Sequence, residues 1–207
     1  ELVQGLPLRS ALAGPRSAVV CSMLLTWVLT AATVVVILLT PSLMQNLYGI
    51  PARAALDANS IATLALTIGC VAFGAAADRI GATRTLMFGC AALGASVLAL
   101  YLGVARDLAR LPLLYGLAGF CVGVVGVIPT LLVQAFPAPV RYSGVSFAYN
   151  VAYAVFGGLT PQLVGLVVLH SPLAPAWYVV ALSLLGVLSV PMARRVTLRA
   201  AGANALA

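Results

Sequence analysis

The sequence predicts an all-α integral membrane protein of six transmembrane helices, arranged as two three-helix repeats. Three observations carry that expectation. Of 207 residues, 63% are hydrophobic and 7% charged, and the mean hydropathy is +1.13, whereas a soluble domain carries roughly 25% charged and about 45–50% apolar residues. The charges gather at intervals and leave uncharged runs at 17–52, 58–77, 85–105, 111–140 and 142–193. Polar residues recur at helical spacing on some of those runs and are scarce on others. A β-barrel is excluded, because its strands alternate apolar and polar with period two, and a run such as "VVVILL" (Val34–Leu39) does not alternate.

A helix needs about 20 apolar residues, each rising 1.5 Å, to cross a hydrocarbon core of about 30 Å. Each of the first four runs is long enough for one span. The last is long enough for two, and "LHSPLAPAW" (Leu169–Trp177) divides it with two prolines that mark a hairpin. The expected spans are therefore roughly 18–40, 57–77, 84–105, 111–136, 143–168 and 175–193, in a single bundle formed by residues 1–207.

All eleven basic residues are arginine. They lie singly or in pairs at span ends without interleaved aromatics, so the net charge of +7 reads as membrane topology and no nucleic-acid partner is expected. Six spans put both termini on one side. That side holds Arg9, Arg16, Arg79, Arg84, Arg141, Arg194, Arg195 and Arg199, and the opposite loops hold Arg53, Arg106 and Arg110. Short cytoplasmic loops collect arginine, so the expectation is a bacterial inner (plasma) membrane protein with both termini in the cytoplasm.

Polar residues rank the spans. The first carries Thr26, Thr30 and Thr33 beside Trp27, and the second Asn59, Thr63, Thr67, Cys70 and Gly74. The fourth carries Tyr115, Gly119, Gly123, Gly126, Thr130 and Gln134, and the fifth Ser146, Tyr149, Asn150, Tyr153 and Gly157. Each set recurs at spacings of three and four, which is one helix face. The third and sixth spans are poorer. Lipid gives no reason for polar side chains, so spans one, two, four and five are expected to look inward and spans three and six outward. The same ranking in each half of the chain is what an internal repeat gives.

Small and hydroxyl residues on one face also make ordinary packing seams. Packing is the favoured reading for the glycines of span four. For Tyr149, Asn150 and Tyr153, a seam and a binding face stay equally open. Pro129 and Pro161 each free a backbone carbonyl within a span. The four cysteines fall inside spans as small hydrophobes, and the single histidine, His170, sits in the hairpin without a second ligand nearby. No cofactor, metal or enzymatic activity is expected.

Two stretches bear a family resemblance. In "GAAADRIGATR" (Gly74–Arg84), the residues Gly74, Asp78, Arg79, Gly81 and Arg84 resemble the G-x-x-x-D-R-x-G-x-x-[RK] loop that major facilitator transporters carry between the second and third helix of each half. "QAFPAPVRYSGVSFAYN" (Gln134–Asn150) followed by "FGGLTP" (Phe156–Pro161) resembles the tenth-to-eleventh helix region of the metabolite:proton symporter branch, with Arg141 at its basic position. Gln134 stands where those families often place an acid.

The resemblance implies that the chain is helices seven to twelve, the C-terminal half of a twelve-helix carrier. Its expected partners are then the lipid bilayer, an N-terminal six-helix half, a small polar or anionic metabolite and protons, with the coupling acid in the other half. A first residue of Glu rather than Met agrees with a piece of a longer chain. The loop aspartate is expected to hold the two bundles together through a neighbouring helix N-terminus and arginine. Gly74, Asp78, Arg79, Gly81, Arg84 and Arg141 form the expected conformational motif. Trp27, Thr30, Thr33, Gln134, Tyr149, Asn150 and Tyr153 form the expected substrate face. An arginine inside the cavity would point to an anion, and none is expected there. The alternative is a six-helix scaffold or assembly subunit with no transport cycle.

Overall fold

Within hydrocarbon a backbone must satisfy its own N–H and C=O groups, and a helix does so inside one segment. In a computed structural model, residues 16–205 are described, and six rods meet that demand: Arg16–Tyr48, Ala52–Ile80, Ala82–Arg106, Leu108–Gln134, Ala138–Val168 and Ala174–Gly202. The chain is a multi-pass membrane protein. Arg9, counted above among the arginines of one side, lies outside the described residues.

The rods outrun the expected spans. The first continues to Tyr48 and the last helix to Ala205, with Arg194, Arg195 and Arg199 exposed along it. Charge marks where a helix leaves hydrocarbon, whereas its hydrogen-bond ladder stops only at a breaking residue. Gly49 (φ 64°) is such a residue, and its N–H donates to Gln45 O at 3.1 Å. Gly81 is a one-residue joint between spans two and three. Its N–H donates to Ala77 O at 2.9 Å, and its carbonyl accepts from Thr85 N at 3.1 Å, so both helix ends are closed. At φ 92° an L side chain would be strained.

Span one is not a regular α-helix throughout. Val34–Leu39 widen into π-type turns, which shifts the backbone ladder and offers carbonyls to side chains. Span four is α-helical over Leu111–Val122, tightens to a 3₁₀ segment over Gly123–Val127, and resumes at Ile128, just before Pro129.

The packing has the symmetry of a repeat. Span two lies against span four, and span five against span one. Span three lies against span four, and span six against span one, while three and six meet each other. Exchanging one with four, two with five and three with six leaves this pattern unchanged. Three is odd, so the second unit is inverted relative to the first across the membrane.

Within this chain, 50% and 39% of the most apolar stretches of spans three and six are buried, against 11% and 17% for spans two and five. Poverty in polar groups does not distinguish burial in protein from exposure to lipid, since lipid tails are as apolar as leucine. Ser96, Ser183, Ser189 and Tyr101 are all buried. Gly94 meets Ser183, and Gly186 meets the Cys90 sulfur, so the small residues of these two spans form their seam.

The span-four glycines pack as expected. A Cβ on Gly119 would run into the Ala62 backbone, one on Gly123 into Gly69 and Cys70, and one on Gly69 into Phe120. Spans two and four thus meet backbone to backbone. Cys21, Cys90 and Cys121 are buried, Cys70 is partly so, and all four are unpaired.

Candidate substrate pathway

Span one meets span five through aromatic rings. Trp27 stacks on Phe156 with centroids 4.2 Å apart and planes within 5°. Its Nε1–H donates to Tyr178 OH on span six at 3.2 Å. Thr160 Oγ1 donates to Phe156 O at 2.6 Å, so the remaining bond of 3.0 Å runs from Tyr178 OH to Thr160 Oγ1. Every proton in this chain of donors is assigned, from Trp27 through Tyr178 and Thr160 to the Phe156 carbonyl. One turn further, Thr30 Cγ2 lies 3.2 Å from where a Gly157 Cβ would stand, and the Tyr153 ring 3.7 Å from the same position.

This geometry sorts the expected substrate face. Trp27 is half-buried and its one donor is committed. Thr30 is fully buried and donates to Thr26 O at 2.8 Å, and Thr33 donates to Leu29 O at 3.0 Å. The span-five residues are different. Tyr149 and Tyr153 form a tilted pair 5.5 Å apart, Tyr153 is 42% exposed, and Asn150 is exposed. Asn150 Nδ2 donates to Ser146 O at 2.8 Å and to Ser146 Oγ at 3.3 Å, which turns its amide oxygen outward as an acceptor. Of the face drawn from sequence, the span-five edge is the open part, and the span-one part lies in a seam.

Two clefts flank span four at the arginine-rich end. One, of about 480 Å³, lies between spans two and four and brings Gly74, Asp78 and Gly81 together with Thr130 and Gln134. Gln134 therefore shares a cleft with the motif carboxylate rather than with Tyr149 and Asn150. Among the described residues, no atom of a neighbour comes within 4 Å of a Cβ built on Gly74, so no helix approaches closely there. The other cleft, of about 500 Å³, lies between spans four and five and includes Arg141, Ser146 and Tyr149. Arg141 Nε donates to Phe136 O at 3.2 Å, which closes the turn between the two spans.

Ion pairs fall elsewhere. Among the described residues they are Arg53–Asp57 at 4.0 Å and Arg110–Asp107 at 3.2 Å, both at the opposite end. Asp78, Arg79 and Arg84 are exposed, and Asp78 has no ionic partner among the described residues.

A second polar cluster at that opposite end escaped the sequence reading. Thr40 Oγ1 donates to Val35 O at 2.8 Å and so accepts from Tyr101 OH at 3.2 Å. Tyr115 OH lies 2.6 Å from both Val36 O and Asn59 Oδ1. A phenol has one proton. With that proton on Val36 O, an Asn59 amide turned by 180° supplies the second bond. The acceptors are the carbonyls of the π-type turns, and no local pattern announces those turns. The legible signal was one phenol or amide on each of spans two, three and four.

No family model matches the chain. It is 30% identical over 164 residues to a citrate-proton symporter of Salmonella typhi, an alignment that covers 74% of this chain and 36% of that protein. It is 29% identical over 122 residues to a protein named a proline/betaine transporter in Staphylococcus aureus strain COL, covering 57% and 26% respectively. The strain N315 protein of that name matches equally. Its distant relatives are bacterial transporters, not enzymes. The chain spans about a third of the first relative's length and about a quarter of the others'.

Proposed function

We propose that this chain is the C-terminal six-helix bundle of a major facilitator carrier that moves a small polar or anionic metabolite together with protons by alternating access. The observation that carries the reading is an uncovered polar face. Spans two and five are the least buried, yet they expose Ser60, Thr63 and Thr67 on one and Asn150 and Tyr153 on the other. The Ser60 and Thr hydroxyls turn back to their own helix carbonyls, whereas the Asn150 amide oxygen has no such outlet. Hydrogen-bonding groups in hydrocarbon are costly unless paired or wet, so this face suits a water-filled path beside a second bundle. Asp78, without an ionic partner among the described residues, suits a contact made to that second bundle. The arginine bias supports a cytoplasmic position for the Asp78 end.

The test uses the complete gene product in de-energised cells or proteoliposomes. A panel of carboxylates, amino acids, betaines and sugars is added while external pH is recorded. At least one solute is expected to drive proton uptake, abolished by a protonophore. Silence across the whole panel, with the protein correctly inserted, would overturn the reading.

A further inference from the structure

We propose that the cleft between spans four and five is an anion-capture site, which takes the carboxylate of a solute at the arginine-rich mouth of the pathway. The inference rests on the transporter reading and names the substrate class for it.

The cleft is lined by Val133, Arg141, Tyr142, Val145, Ser146 and Tyr149, with Ala138 at its rim, and its volume is about 500 Å³. That is room for a small metabolite. Arg141 is the sole full charge among these residues, and no acid offsets it. Its Nε bond to Phe136 O fixes the guanidinium at the wall and uses one of its five N–H donors.

The hydroxyls point the same way. Ser146 Oγ accepts from Asn150 Nδ2, which leaves the serine proton to donate. The Tyr149 phenol has no hydrogen-bond partner among the described residues. Val133 and Val145 line the cleft as its apolar neighbours, and a bond from the guanidinium to a carboxylate is charge-assisted, hence stronger than a neutral one. The cleft therefore offers donors and a positive charge, which a carboxylate answers and an ammonium does not.

The neighbouring cleft has the opposite character. Across span four, Asp78 faces Gln134 and Thr130, and an anion would be repelled there. Seven described arginines against one aspartate at this end draw anions to the mouth in the first place. Arg141 thus has two neighbours on one wall, Ser146 and Tyr149, that can share a bound carboxylate with it. Asn150 and Tyr153, about one and two helical turns beyond Ser146 along span five, are then the next polar groups.

A phospholipid phosphate shares this chemistry, and the test separates the two sources. The complete protein is purified into nanodiscs of phosphatidylcholine alone, and in parallel into nanodiscs containing phosphatidylglycerol. Binding of citrate and succinate is measured by calorimetry, with succinamide as the uncharged comparison. Expected results are carboxylate binding in the neutral lipid, weakened by added salt, and weakened about tenfold or more by Arg141→Gln. Arg141→Lys should restore part of it and Tyr149→Phe should weaken it less. Melting temperature should be unchanged in Tyr149→Phe and should fall equally in the two Arg141 variants, which both lose the bond to Phe136 O, so the difference in binding between Gln and Lys reads the charge alone.

Equal carboxylate binding by Arg141→Gln and the unsubstituted protein would overturn the site. So would an effect of Arg141→Gln seen only with phosphatidylglycerol, which would make it a headgroup site. Proton-coupled transport confined to uncharged or cationic solutes and indifferent to Arg141→Gln would overturn the anion site and leave the transporter reading standing. Arginine-dependent carboxylate binding without transport of any solute would do the reverse.

Discussion

Span two lies on span four as span five lies on span one, so the two seams are equivalent places in the repeat. Their chemistry is not equivalent. The first has backbone against backbone at its centre, where Gly69, Gly119 and Gly123 leave no side chain in the contact, with the Phe73–Phe120 pair and the Tyr115–Asn59 bond on either side. The second is made of side chains, with the Trp27–Phe156 stack and a relay through Tyr178 and Thr160 that enlists span six. A repeat fixes which helices meet, and the residues at each meeting are then free to serve different ends. At the three glycines the seam has no side chain that can rotate or reach a solute. The aromatic seam anchors span five directly behind its open edge of Tyr149, Asn150 and Tyr153.

The largest expected effect breaks the backbone seam. Gly123→Leu would drive a branched side chain into Gly69 and Cys70, where the nearest atoms are backbone and cannot swing aside. Destabilisation of about 3 kcal/mol or more is expected, read as a fall in melting temperature and in the folded fraction in detergent. A variant that melts like the parent would mean that the helices do not meet through their backbones.

Next comes the aromatic seam. Trp27→Ala removes both the stack and the indole donor from a half-buried site, and about 2–3 kcal/mol should be lost, below the 3–5 kcal/mol of a fully buried tryptophan. Trp27→Phe keeps a ring over Phe156 and loses only the bond to Tyr178, so about 1 kcal/mol is expected. Equal losses in the two variants would show that the hydrogen bond, not the stack, holds the seam.

Effects on rate rather than stability should follow beside each seam. In the complete carrier, Asp78→Asn is expected to slow transport severalfold while insertion and apparent affinity hold. Unchanged transport at equal expression would reduce Asp78 to a helix-end anchor. On span five, Asn150→Ala and Tyr153→Phe should raise the apparent substrate constant without lowering the melting temperature. If the pair were only glue, each bond would contribute about 0.6 kcal/mol, and stability would fall while the substrate constant held.

The smallest effect belongs to Ser183, whose buried Oγ has no hydrogen-bond partner among the described residues. Ser183→Ala removes an unsatisfied hydroxyl, and stability should be unchanged or slightly higher, with transport intact. A clear loss on melting would reveal a partner, such as water, for that group.

Much of the architecture was legible because its causes are local. A charge cannot sit deep in hydrocarbon without a large desolvation penalty, so the positions of arginine and aspartate bracket the spans. Glycines at spacings of three and four leave a groove wherever they fall, so Gly119 and Gly123 could be read as a packing face before their partner was known. Gly81 could be read as a joint between two charged helix ends, and its φ of 92° is the conformation that such a joint uses.

The candidate site was less legible because hydrogen bonds are made between helices. Thr30 and Asn150 look alike in sequence, each a polar residue on a recurring face. One is fully buried and bonded to its own helix, and the other is exposed. Trp27 gives no local sign that its donor is taken by Tyr178, 151 residues away. Gln134 and Tyr149 lie on what looked like a single surface, yet span four turns them into different clefts.

By itself the sequence determined that this chain crosses a membrane six times with an arginine-rich end, since burial of charge and backbone is decided residue by residue. Only the tertiary structure decided that spans three and six are buried more than two and five, because apolar surface is equally content against lipid or protein. It alone brought Arg141, assigned from sequence to a loop, to the wall of the cleft that holds Tyr149. The turn at Phe136 sets where that guanidinium lies, and it is closed by a bond between groups five residues apart whose geometry no residue pattern specifies.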